Sequence, residues 1–192
     1  MRKIVLDIET RNTFQSVGSS KPVDLDLSLL VAYDYETDQY TSYLQEDLPK
    51  LWRLLENADL IIGYNSDHFD IPLLNKYYPG DLTQIKSLDI LAKIKESFGK
   101  RISLDMVATG TLGDQKSAHG LEAVAWWEQG EIEKIRKYCQ QDVKITKEVY
   151  EFARRNNFLR YKLVNEVIQF PLDASKWEEQ EEKQSINYTL PF

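Results

Sequence analysis

The N-terminal part of the chain carries the patterns of three β-strands. Residues 3–8 form a nearly continuous apolar run, which is typical of a buried strand, and residues 29–35 repeat that pattern. Residues 39–44 form a third strand-like stretch after a polar turn at residues 36–38. Successive strands joined by short turns pair as a meander. We therefore expect the chain to open with three antiparallel strands.

Beyond the third strand, the spacing of apolar residues changes to that of helices alternating with short strands. In residues 47–57, Leu48, Leu51, Trp52 and Leu55 recur at intervals of three and four, which predicts an amphipathic helix. The same criteria predict strands at residues 59–64 and 85–88, and helices at residues 66–77, 89–98, 103–109 and 121–127.

A long helix is predicted over residues 131–154, after Gly130 interrupts the pattern. Its predicted inner face consists of Ile132, Ile135, Cys139, Val143, Thr146, Val149, Tyr150 and Ala153. Residues 160–172 fit a hairpin, and from Trp177 the composition changes to WEEQEEKQ. We expect one domain over residues 1–175 and an acidic, mobile tail over residues 176–192.

Together these elements predict an α/β fold, a mixed β-sheet with three opening antiparallel strands, flanked by helices. The chain has 192 residues, 42% of them hydrophobic, which suits one folded domain. No apolar run approaches the roughly 20 residues of a membrane span, and the N-terminus lacks a signal-peptide pattern. With Cys139 as the only cysteine, these features predict a cytoplasmic protein with no membrane partner.

The net charge of −7 argues against a wide surface that tracks phosphates. Carboxylates that bind cations reverse the local sign of the charge. The overall charge is therefore compatible with a nucleic-acid substrate at a metal site.

The first motif with chemical content is LDIET. In a strand, alternate side chains share a face, so Asp7 and Glu9 project together. Burying two like charges is unfavourable unless a cation lies between them, and Mg²⁺ or Mn²⁺ prefers such oxygen ligands. The alternative is an exposed edge strand whose acids are solvated.

The second motif is GYNSDHFDIPLL, which begins where a predicted strand ends. Asn65 or Ser66 is placed to cap the following helix. Asp70 would then lie in the first turns of that helix, where an acid also stabilises the helix dipole without any ligand. Asp67 is a competing candidate for a metal ligand.

The third motif is YCQQD, in the long helix. Tyr138 and Asp142 are four residues apart, so they share a face. A tyrosine at such a position is more often a core residue, and an aspartate is more often solvated. The pair indicates a site only if this face meets the strand that carries Asp7 and Glu9.

Taken in chain order, LDIET, the Asn-x₃-Phe-Asp of the second motif and the Tyr-x₃-Asp of the third resemble the motifs of the DEDD exonucleases, which have a ribonuclease-H-like fold. Tyr138 indicates the tyrosine (DEDDy) subgroup, because Lys137 occupies the position of the histidine in the other subgroup. The stretches SLDMVATGTLGDQKSAHG and YCQQDVKIT are also similar to the proofreading exonuclease domain of family-B DNA polymerases and its stand-alone relatives.

The resemblance implies a two-metal-ion 3′→5′ exonuclease that releases nucleoside 5′-monophosphates. Its cofactors would be two divalent cations, Mg²⁺ or Mn²⁺, held by Asp7, Glu9, Asp70 and Asp142. Asp7 would contact both ions, and Asp70 would hold the second. Tyr138 would orient the attacking water. The partner would be nucleic acid with a free 3′ end, with single-stranded DNA favoured over RNA.

The candidates for substrate binding are Thr10, Asn65, Phe69 and Lys116. The backbone near Thr10 would meet the terminal 3′-hydroxyl, and Phe69 would pack either under the terminal base or in the core. The densest basic set, whose alternative is a solvated helix face, is Lys93, Lys95, Lys100, Arg101 and Lys116.

Two other functions stay open on sequence grounds. The acidic tail and negative charge fit a non-catalytic module that binds nucleic acid or a partner, and a metal-dependent endonuclease of the same fold would share the acids. The terminal INYTLPF resembles a sliding-clamp-binding peptide, which predicts a protein partner for the tail. The alternative is a tail that folds back onto the domain.

Overall fold

The computed structural model describes residues 1–113 and 120–179. Lys116 and the predicted tail from residue 180 onward therefore lie outside the described residues. Within these ranges, no helix combines the length and the apolar character needed to cross a membrane.

A five-stranded mixed sheet forms the centre of the fold, as predicted. β1 (Lys3–Thr10), β2 (Leu27–Asp34) and β3 (Gln39–Tyr43) are antiparallel neighbours, which confirms the opening meander. β4 (Leu60–Gly63) pairs in parallel with β1, and β5 (Ser87–Asp89) pairs in parallel with β4. The carboxyl ends of β1, β4 and β5 therefore meet at one edge of the sheet, where loops commonly form binding sites.

Helices cover both faces of this sheet. In the described residues they are α1 (Phe14–Val17), α2 (Leu48–Glu56), α3 (Asp70–Asn75), α4 (Ile90–Phe98), α5 (Leu104–Thr111), α6 (Gly120–Glu128) and α7 (Ile132–Asn156). Ile4 and Leu6 of β1 belong to the core under α2 and α3, whereas Val5 belongs to the core under α7. Asp7 and Glu9 follow Val5 at intervals of two, so their side chains face α7.

The long helix α7 crosses the sheet over β1 and β2. Its 25 residues span about 37 Å, which lets one helix contribute to both ends of the molecule. Its buried residues are Ile135, Tyr138, Cys139, Asp142, Val143, Ile145, Thr146, Val149, Tyr150 and Ala153. The helix ends at Asn157, whose left-handed backbone (φ 56°) stops further helical hydrogen bonding.

The helix predicted over residues 66–77 is shorter than expected. α3 comprises Asp70–Asn75 alone, and residues 66–69 form turns. Pro72 explains the difference. It is tolerated in the first turn of α3, but in a helix that began at residue 66 its ring would clash with the carbonyl of His68. Neither Asn65 nor Ser66 caps α3; its N-cap is Phe69, with no side-chain hydrogen bond.

The predicted hairpin is present as β6 (Phe158–Lys162) and β7 (Val167–Pro171), which pair as a separate antiparallel sheet. It packs closely against α5, where Thr111 exchanges hydrogen bonds with the backbone of Arg160 at 2.6 and 2.9 Å.

The packed domain extends beyond the boundary predicted at residue 175. Trp177 is buried and stacks on Tyr150 with ring centroids 6.0 Å apart. Glu178 pairs with Lys3 at 2.7 Å and with Arg154 at 3.3 Å, and it accepts a hydrogen bond from the Tyr150 hydroxyl. We call these five residues the clasp. Burial of the Trp177 ring fixes this segment on the domain. The acidic residues around Trp177 had predicted an exposed tail instead.

Candidate metal centre

Asp7 and Glu9 lie near the carboxyl end of β1. Glu9 is buried and Asp7 is half-buried. The pairing between β1 and β2 shifts register between Glu9 and Thr10. Such an irregularity changes the direction of the strand at its end. It directly follows Glu9, where the apolar part of β1 ends.

α7 brings a third acid and the tyrosine to the same strand. Asp142 and Tyr138 are both buried and lie one turn apart. Trp126 of α6 packs edge-on against the Tyr138 ring, with centroids 5.9 Å apart. The condition set by the sequence is met, because the helix face that carries Tyr138 and Asp142 packs on β1.

Asp70 supplies the fourth acid from the first residue of α3. Its side chain is 3% exposed, and its Oδ1 has no hydrogen-bond partner among the described residues. Burial, together with the negative charge of Asp7, raises the pKa of Asp70 well above its usual value. A divalent cation shared with Asp7 would remove this unfavourable burial of charge, so these residues fit a metal site.

Cys139 also reaches the acids, which the sequence did not indicate. The ligand atoms of Asp7, Glu9 and Cys139 all lie within 4.8 Å of one another. The buried thiol donates to the Asp7 carbonyl at 3.2 Å and lies 3.6 Å from Asp7 Oδ2. Burial and the neighbouring carboxylates of Asp7 and Glu9 raise the pKa of the thiol well above its usual value. A neutral thiol is a poor ligand for Mg²⁺, so we assign Cys139 no role as a metal ligand. Its hydrogen bond to the Asp7 carbonyl restrains Asp7.

The four acids and Tyr138 line one open cleft with a volume of about 450 Å³. Thr10, Asn65 and Phe69, three of the predicted substrate-binding residues, line the same cleft. Phe69 packs edge-on against Phe14 at 6.1 Å and also borders the core under α2 and α3. Phe69 therefore forms part of the cleft wall and also packs against the edge of the core. Lys116 is not among the described residues.

Asp89 holds the turn after β4. Asp89 accepts hydrogen bonds from the backbone of Asn65 at 2.8 Å and of Asp67 at 3.3 Å, and it also caps α4. Asp67 is exposed, bonds to Ser87 Oγ at 2.6 Å and does not line the cleft. The competing candidate is therefore not brought to the acids.

Close packing at Gly63 shapes this turn. A Cβ atom at Gly63 would lie 2.4 Å from Cβ of Ser66, which is fully buried. Asn65 itself adopts a left-handed backbone conformation with φ 67°. The absence of a side chain at Gly63 thus lets the chain turn sharply between β4 and α3.

The described members of the predicted basic set make different contacts. Lys93 pairs with Glu96 at 2.8 Å, and Lys100 lies over the Phe98 ring at 5.4 Å. Arg101 instead donates from Nη2 to Asn65 Oδ1 at 2.7 Å, which places its guanidinium at the rim of the cleft.

Comparisons with known proteins agree with this fold. The RNase_H_2 model of the RNase_H superfamily matches residues 4–154. A search of curated protein sequences finds no match. Among solved structures, the family B DNA polymerase from the hyperthermophilic archaeon Pyrobaculum calidifontis is similar in fold, with a TM-score of 0.62 and 17% identity. The similarity covers 80% of this chain but 24% of the polymerase chain. The match over most of its length shows that the chain belongs to the ribonuclease H superfamily.

Proposed function

We propose that this protein is a metal-dependent 3′→5′ exonuclease that releases nucleoside 5′-monophosphates from single-stranded or frayed nucleic acid. The observation that carries the proposal is the convergence of four acids and one tyrosine, from β1, α3 and α7, on a single cleft. Superfamily membership supports a nuclease. The similarity in fold to a DNA polymerase favours DNA as the substrate.

The side chains divide the work of hydrolysis among them. Asp7, Glu9, Asp70 and Asp142 would hold two divalent cations, Mg²⁺ or Mn²⁺. Such a pair activates the attacking water and stabilises the leaving 3′ oxygen. The Tyr138 hydroxyl orients the nucleophile, and the edge-on contact with Trp126 limits the motion of its ring.

Matched oligonucleotides test the direction and the substrate of the reaction. DNA and RNA strands of one sequence, labelled at the 5′ or the 3′ end, are digested with Mg²⁺ and with Mn²⁺. We expect 3′-labelled strands to release labelled mononucleotide at once, and 5′-labelled strands to shorten stepwise. Cleavage of a circular single strand would instead indicate an endonuclease.

Two aspartates that follow β4, Asp67 in the turn and Asp70 at the start of α3, provide a matched pair of variants. Asp70→Asn is expected to abolish hydrolysis, whereas Asp67→Asn, three residues away and outside the cleft, is expected to retain it. Titration of metal by calorimetry completes the test. No divalent binding in the millimolar range, or equal activity of the two variants, would contradict the proposed site and favour a non-catalytic binding module.

A further inference from the structure

One face of the hairpin formed by β6 and β7 is exposed and carries basic side chains. On its inner face, Leu159, Tyr161 and Phe170 are buried and join the core under α7. The residues that alternate with them form the opposite face, which we call the outer hairpin face: Phe158, Arg160, Lys162, Val167, Gln169 and Pro171. It contains two cations and no acid, in a protein whose net charge is −7.

The side chain of Arg160 is held in place on the outer hairpin face. Its Nε donates to Gln169 Oε1 across the hairpin at 3.0 Å, and its guanidinium lies over the Phe158 ring at 4.9 Å. The backbone N–H and carbonyl of Arg160 both bond to the Thr111 hydroxyl. The position of the guanidinium is thus largely determined before a ligand binds, which reduces the entropy lost on binding.

The positive charges of the outer hairpin face are not compensated by the described residues. Arg136 and Arg154 of α7 each form an ion pair. Neither Arg160 nor Lys162 pairs with a carboxylate in residues 1–113 and 120–179. A guanidinium with spare N–H donors is suited to phosphate oxygens, and its planar surface is suited to stacking under a base. The outer hairpin face therefore matches the chemistry of a single-stranded nucleic acid.

The helix α5 connects the hairpin to the cleft. Tyr64, which lines the cleft, donates from its hydroxyl to the carbonyl of Ile102, two residues before α5 begins. Thr111, the last residue of α5, bonds to Arg160. The helix has 8 residues and is therefore about 12 Å long. The hairpin thus lies about one short helix away from the cleft, within reach of a strand whose 3′ end occupies the cleft.

We propose that the outer hairpin face binds the 5′ side of a single-stranded nucleic-acid substrate, outside the cleft, through phosphate contacts of Arg160 and Lys162. The inference rests on the proposed exonuclease function. Phosphates are common to all sequences, so this surface adds affinity without sequence preference. It acts only on strands that are long enough to span the cleft and the hairpin.

Binding as a function of strand length tests this surface. Affinity of the full chain for 5′-labelled single-stranded DNA is measured in Ca²⁺, to prevent turnover, over a series of salt concentrations. The strands have about 4 or about 16 nucleotides. For the double variant Arg160→Gln, Lys162→Gln, we expect the long strand to bind about tenfold more weakly at low salt and its salt slope to fall by about 1.4, at about 0.7 for each phosphate contact. Binding of the short strand should not change.

The double variant Lys50→Gln, Arg53→Gln is the matched control, because it removes the same charge from α2, whose buried residues belong to the other core. Both residues are exposed and neither lines the cleft. We expect wild-type affinity and slope for both strands. Lys162→Gln alone keeps every contact of Arg160 and should show about half the change in slope, so a folding defect in the double variant would not prevent the test.

Steady-state hydrolysis provides a second measurement. For release of the first nucleotide from the long strand, the hairpin variant should show a raised KM and an unchanged kcat. Wild-type affinity for the long strand, or an equal loss in the hairpin and α2 variants, would overturn the proposed surface alone, provided that wild type hydrolyses DNA. Displacement of the long strand by polyglutamate as readily as by unlabelled DNA would also overturn it, in favour of an acidic polypeptide partner. Absence of binding and hydrolysis in wild type would overturn the exonuclease proposal as well.

Discussion

β1 and α7 contribute charged residues to both the clasp and the cleft, but the charges are arranged in opposite ways. At the clasp, Lys3 of β1 and Arg154 of α7 both contact Glu178, so opposite charges meet. At the cleft, burial and the negative charge of Asp7, on the same strand as Lys3, raise the pKa of Asp70. Both ends are built on the same two elements, and both contain buried aromatic rings.

The difference separates stability from activity. The clasp is complete without a ligand and joins the C-terminal segment to β1 and α7. The cleft brings acids together, which opposes folding unless a cation compensates their charge. Substitutions at one end should therefore alter stability and leave the chemistry intact, and substitutions at the other end should do the reverse.

The largest expected effect is the loss of hydrolysis in Asp70→Asn. Removal of this proposed metal ligand should lower the rate by about 10³-fold or more. In EDTA the variant should be at least as stable as wild type, because a neutral amide replaces a buried like charge. Chemical denaturation and single-turnover hydrolysis measure the two quantities. A variant with wild-type turnover would remove Asp70 from the site.

At the clasp, Trp177→Ala should lower the free energy of unfolding by about 3 kcal/mol, the usual cost of deleting a buried aromatic side chain. The hydrolysis rate per folded molecule should not change. Trp177→Phe keeps a ring on Tyr150 and serves as the control, with a smaller loss. Wild-type stability of Trp177→Ala in urea would mean that the segment contributes nothing to the domain.

Metal binding should stabilise the wild type in proportion to its affinity. At a concentration 100 times the dissociation constant, Mn²⁺ should add about 2.7 kcal/mol, seen as a higher thermal midpoint that EDTA reverses. Trp177→Ala should show the same increment from a lower starting point, and Asp70→Asn a reduced one. An equal increment in all three proteins would place the bound ion elsewhere.

The smallest effect concerns the pH dependence of the clasp. Burial opposes ionisation of Glu178, but hydrogen bonds from Lys3 and Tyr150 outweigh it and hold the pKa of Glu178 below its ordinary value. Its stabilisation is therefore present above the unfolded pKa of roughly 4.3 and is lost as the pH falls through the lower folded pKa. Between pH 6 and pH 3, wild type should lose up to about 1 kcal/mol more stability than Glu178→Gln. Parallel pH profiles of the two proteins in urea denaturation would contradict this account.

Most elements of the fold could be predicted from sequence because their apolar spacing is strong. The three opening strands and α7 have long, regular patterns that no short-range signal opposes. The start of α3 was misplaced although its signal was present, since Pro72 excludes helix at His68. The end of the domain was misplaced because the acidic residues after Trp177 suggested an exposed tail, whereas the Trp177 ring is buried.

The residues of the candidate site could be selected from sequence, but their arrangement in space could not. The spacing within LDIET and YCQQD places each pair on a common face, but it does not show that β4 lies beside β1 and carries Asp70 to Asp7. The contacts of Cys139 with Asp7, and of Arg101 with Asn65, join residues 132 and 36 positions apart. No local pattern predicts such contacts, because they arise from the packing of separate elements.

The sharp turn at Gly63 has a consequence for any related sequence. A methyl group there would lie 2.4 Å from Cβ of Ser66, so the turn that leads to Asn65 and Asp70 would have to adjust. If the proposed function holds, a homologue that keeps every acid but has a larger residue at this position should be less active. Judging which relatives are active thus requires inspection of this glycine as well as of the four carboxylates.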